Sequence, residues 1–142
     1  MRRLALMATV MMLVIGGAVP AYAEHGDAID GVWQARDPYD GSLLKVTITE
    51  HLGNTGYFTV ELVDSRATFG CSPAARVTAI TTNALYDDGS KVIFADFTDI
   101  RCKGKSEIVA VDGIHAEFKV LEDNETMVDV FDPSVVYRHI RG

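Results

Sequence analysis

Positive charge is scarce in this sequence: 13 Lys and Arg stand against 20 Asp and Glu. Nucleic acids and anionic membrane surfaces need a basic footprint, so neither is an expected partner. Metal-ligand spacings are missing as well. There is no CxxC, no HxxxH and no ordered oxygen-ligand loop of the EF-hand kind, which leaves Asp87-Asp88 and Glu122-Asp123-Glu125 as solvated turns. No Gly-rich phosphate loop of the P-loop or Rossmann type occurs, and no cofactor is expected. No G-x-S-x-G elbow sets a nucleophile beside a base, and His25, His51, His115 and His139 read as surface residues. Asp96 and Asp99, flanking Phe97 on an otherwise apolar strand, and Asp129, within 127–131, read as water-facing. With no catalytic constellation in view, the expectation is a non-enzymatic protein.

Only one apolar run is long. Arg2 and Arg3 precede residues 4–19, which carry no charge, and Pro20 then interrupts the run. Ala21-Tyr22-Ala23 puts small residues at the −3 and −1 positions of a cleavage site. The pattern predicts a signal peptide over 1–23, cleaved ahead of Glu24, and a single domain over 24–142. The run is short for a spanning helix, no cysteine follows the site to take a lipid, and no later segment is apolar enough to cross a bilayer. A secreted or periplasmic location follows, with no membrane attachment after cleavage. Loss of Arg2 and Arg3 leaves 11 cations against 20 acids, a net charge of −9. The two cysteines, Cys71 and Cys102, both fall in the mature part. An even count in an exported chain predicts a disulfide between them.

What remains is rich in turns and alternation. Asp40-Gly41, residues 53–56, Asp87-Asp88-Gly89, Lys103-Gly104, Asp112-Gly113, Asp123-Asn124 and Asp132-Pro133 mark turns at short intervals. Between them the apolar period is two. Leu44, Val46 and Ile48 alternate with polar residues, as do Phe58, Val60 and Leu62, and then Ile114, Ala116, Phe118 and Val120. No stretch after the leader carries a helical stripe with start and stop signals. Strands are predicted near 32–37, 42–50, 57–63, 66–71, 75–82, 91–100, 106–111, 114–121 and 126–140, the last split at Pro133. Many short antiparallel strands joined by hairpins predict an all-β fold, a small up-and-down β-barrel of about eight strands, with a β-sandwich as the alternative.

Gly31-Val32-Trp33 at the start of the first strand and Val136-Tyr137-Arg138 in the last resemble the calycin superfamily, the lipocalin, fatty-acid-binding and avidin-like barrels. The resemblance implies a barrel closed by its first and last strands, with Arg138 packed over the Trp33 indole as a barrel-closing cation–π pair. The chain is shorter than a typical lipocalin and has no second lipocalin-type motif. It is also similar to small periplasmic inhibitor barrels, which combine a G-x-W start with a disulfide.

Two functions are therefore expected. The first is an exported binding protein holding a small apolar ligand among the inward residues Leu44, Val46, Ile48, Phe58, Val60, Leu62, Phe118 and Val120. The same residues would equally make a solid core. The second is a protein–protein module, such as an inhibitor of a secreted hydrolase. It would act through residues 53–56, Ser72-Pro73-Ala74 or the N-terminal tail. Asn124-Glu125-Thr126 fits a glycosylation sequon, which acts only in a eukaryotic secretory pathway.

Overall fold

The computed structural model describes residues 29–51, 56–67, 71, 75–105 and 112–141. Among them there are nine strands and no helix: β1 (Gly31–Arg36), β2 (Leu43–Glu50), β3 (Tyr57–Ala67), β4 (Ala75–Asp87), β5 (Val92–Phe97), β6 (Asp99–Cys102), β7 (Ile114–Val120), β8 (Thr126–Asp129) and β9 (Val136–Ile140). Every pairing is antiparallel. The order β3-β2-β1-β9-β8-β7-β5-β4-β6 is closed by a β3–β4 pairing, so eight strands form a ring and β6 lies outside it on β4. This is a barrel, and the sandwich alternative falls away. The expected meeting of first and last strands is present, with Trp33 opposite His139.

The strands follow the predicted alternation, with three departures. The expected strand at 66–71 does not begin where placed, because β3 runs without a turn through Ala67. β4 continues past 82 to Asp87, and the expected strand 91–100 divides at Thr98 into β5 and β6. The expected strand at 106–111 lies outside the described residues, as does most of 53–56 and all of 72–74. The split of the last strand near Pro133 is observed as β8 and β9.

The inward phases fill the interior. Trp33, Val46, Ile48, Val60, Ile93, Phe97, Phe118, Val120 and Met127 are all under 2% exposed. Phe118 meets Tyr137 edge-to-face at 5.7 Å. Each such side chain removes apolar area worth about 1.5–3 kcal/mol from water. Ile29, ahead of β1, is fully buried and its carbonyl accepts the Trp33 Nε1–H at 2.9 Å, which plugs that end. Gly31 is required here for two reasons. Its φ of +126° strains any other residue, and a Cβ would lie 2.6 Å from His139 Nε2.

Cys71 and Cys102 form the expected disulfide, with Cα atoms 6.0 Å apart. It ties the connection between β3 and β4 to the end of β6. Such a bond is compatible with an oxidising compartment.

Candidate functional site

The barrel wall opens between β4 and its next neighbour. Leu85 faces Phe94 in the β4–β5 ladder, and Ile80 faces Asp99 in the β4–β6 ladder. The two ladders share one register, yet no pair joins residues 81–84 to 95–98. Side-chain parity explains the break. In β4 the inward phase passes from Thr81 to Ala84, leaving Thr82 and Asn83 both exposed. A bulge accommodates this on the β3 side, where Phe58 faces Ala84 but Val60 faces Thr81. Across the gap the phase also slips, from Phe97 to Ile100, but two residues out of step with β4. Opposed residues of an antiparallel pair must point the same way. Thr81 points in where Thr98 points out, and Thr82 points out where Phe97 points in. The pleats cannot match, and the ladder parts.

The result is a slot of about 420 Å³ on the outer wall, lined by Ile80, Thr81, Thr82, Asn83, Asp96, Thr98 and Asp99. Its lining offers hydroxyls, one amide and two carboxylates, and so is dominated by hydrogen-bond acceptors. No ladder pair joins 81–84 to 95–98, and the Asn83 N–H donates instead to Thr81 Oγ1 at 3.3 Å. At one end, Asp99 is gripped by Arg101, whose Nε and Nη2 donate to its two oxygens at 2.6 and 3.2 Å. This bond holds the Asp99 carboxyl below its ordinary range. At the other end, Asp96 faces His115 across the β5–β7 ladder.

His115 is held from both sides. Its Nδ1 lies 2.6 Å from Asp96 Oδ1 and its Nε2 2.9 Å from Glu117 Oε1, with the Phe131 ring edge-on at 6.0 Å. The hydrogen bond to Glu117, then that to Asp96, raises the His115 pKa above its ordinary value. The imidazolium donates at both nitrogens, so neither is left over to act as a base. A group whose folded pKa is raised adds stability that is present below the unfolded value and lost as pH rises through the folded one. An NMR titration of the His115 ring should therefore give a pKa above about 6.5. Glu117→Gln and Asp96→Asn should each move it back down. A ring titrating at or below the free-imidazole value would contradict the bridged geometry.

The expected Trp33–Arg138 pair is not formed. Tyr137 points into the core, so by alternation Arg138 points out, where its Nη1 donates to Thr126 Oγ1 at 2.5 Å. His139 takes the inward place and stacks on Trp33 at 4.5 Å with the rings 17° apart. His139 is thus half-buried, with one ring face against the indole. His51 bonds Thr59 through Nε2 at 2.9 Å and is half-buried, while His25 lies outside the described residues. Asp96 faces water, and Asp129 caps the backbone N–H groups of Phe131 and Asp132. Among the described residues no three metal-ligating side chains come close enough to hold an ion.

No family model matches the chain, and no curated protein and no solved structure matches it.

Proposed function

We propose that this chain is an exported, non-enzymatic binding module that works through the outer wall of its barrel, not through its interior. The observation that carries this reading is the filled core. Trp33, Phe97, Phe118 and Met127 occupy the space an apolar ligand would need, while the polar slot opens outward. Of the two expected functions, this favours the protein–protein module over the apolar-ligand carrier. The acceptor-rich slot suits a partner that inserts donors, such as a Lys, Arg or amide side chain of a secreted protein, hydrolases included. The closed eight-strand wall and the Gly31-Val32-Trp33 start support a calycin-like classification. The disulfide and the leader pattern at 1–23 support a secreted or periplasmic location.

Thr82→Arg tests the reading. Thr82 is exposed in the slot, so the larger side chain fills the slot without entering the core. Disulfide-intact protein from its own host is examined by native mass spectrometry and then immobilised as bait beside the variant. A protein partner held by the parent chain and lost with Thr82→Arg is expected. A lipid released only on unfolding, or equal retention by both baits, would overturn it.

A further inference from the structure

Past the slot the same wall carries the opposite charge. β4 and β6 keep one register to their ends: Thr78 faces Arg101, and the Lys103 N–H donates to the Arg76 carbonyl at 2.7 Å. Residues opposed in this way point to the same side, and those two apart on a strand share a face. Arg76 and Lys103 therefore stand side by side, with Arg101 and Thr78 as the next pair along. Together they line an outer cleft of about 270 Å³ beside Cys102.

Like charges directly opposed on a sheet are destabilising. Asp99 answers Arg101, but among the described residues no acid pairs with Arg76 or Lys103. This chain has 20 acids for 13 bases, so a carboxylate near these two would be the ordinary outcome. Among the described residues the fold instead gathers three cations around one concavity with a single acid, a surplus of two positive charges. The disulfide at Cys102 holds the end of β6 and with it the spacing of the cations.

We propose that this cleft binds a dianionic oxyanion of the phosphate or phosphomonoester class. A phosphomonoester carries about −1.5 to −2 at pH 7, which matches the surplus; a single carboxylate would leave half of it unanswered. The Arg76 guanidinium forks onto phosphate oxygens, Lys103 adds a point charge, and the Thr78 hydroxyl adds a donor. The proposal does not depend on what occupies the slot.

The test uses the disulfide-intact protein with inorganic phosphate, against chloride at matched ionic strength. Phosphate is expected to raise the unfolding midpoint and to shift the amides of Thr78, Arg101 and Lys103. The Arg76→Gln and Lys103→Gln variants should each bind phosphate roughly ten-fold more weakly. Without phosphate each variant should melt at or above the parent, because a repulsion has been removed. The proposal is overturned if chloride gives the same midpoint rise, if the amide shifts fall elsewhere, or if both variants respond like the parent. Glycerol 3-phosphate and vesicles containing phosphatidic acid separate the sources. Binding of the soluble ester alone identifies a small ligand, binding of the vesicles identifies a headgroup, and binding of neither counts against the phosphomonoester class.

Discussion

Trp33→Ala is expected to cost about 3–5 kcal/mol of folding stability, the usual range for deleting a buried aromatic ring. Domains of this kind hold only about 5–15 kcal/mol in total, so the variant should be partly unfolded at physiological temperature. Three interactions are lost together. The indole is 0% exposed, its Nε1–H satisfies the buried Ile29 carbonyl, and its face stacks on His139. Graded variants separate these parts in urea titrations followed by far-ultraviolet circular dichroism, since Trp33 is the single tryptophan. Trp33→Phe keeps a ring but strands the carbonyl, at about 1–3 kcal/mol. His139→Ala removes the stacked partner, worth about 0.5–1.5 kcal/mol beyond its area. Arg138→Ala removes an exposed side chain with its bond to Thr126 and its ion pair to Asp123, and should stay within about 1 kcal/mol. If Arg138→Ala proved the costlier of these last two, the stacking partner of Trp33 would have been misassigned.

That reversal between Arg138 and His139 shows where the sequence was readable and where a resemblance misled. Period-two alternation located the inward sets on β2, β3 and β7 correctly, because each strand contrasts bulky apolar residues with polar ones. In β9 the same rule was available. Tyr137 is the large ring in Val136-Tyr137-Arg138-His139-Ile140, and putting it inside sends Arg138 out and His139 in. Following the family pattern for a basic residue overrode that parity. The slot was hidden for a different reason. Ile80-Thr81-Thr82-Asn83-Ala84 mixes small and polar residues with no strong contrast, so a one-residue slip leaves no trace in hydropathy. The Phe97-Thr98-Asp99-Ile100 slip has apolar markers on both sides, but its effect depends on the strand it opposes. A mismatch between two pleats becomes visible only once the register between them is known. The cationic cleft was hidden likewise, since Arg76 lies 25 or more positions before Arg101 and Lys103 and is brought to them by the β4–β6 ladder.

The same ladder makes the disulfide the second large lever. Cys71→Ala together with Cys102→Ala is expected to cost about 3–4 kcal/mol, from the chain entropy released by opening a link of sequence separation 31. Alanine is the suitable replacement because both sites are buried, and a serine hydroxyl there would add a desolvation penalty. The loss should not spread evenly. β6 lies outside the closed ring and, among the described residues, pairs only with β4, whereas β1 is held by both β2 and β9. Hydrogen exchange should therefore quicken first at Arg101 and Lys103, whose N–H groups face β4 across this ladder, while the amides of Trp33 and Val46 keep their protection. The cations of the outer cleft remain in this variant, but the strand that spaces Arg101 and Lys103 is loosened. Its midpoint response to phosphate should then fall below that of the parent even though no charge has been removed. A uniform rise in exchange across all strands would instead mean that the disulfide stabilises the barrel as a whole. A cost under about 1 kcal/mol would mean that the unfolded chain already holds these two segments close together.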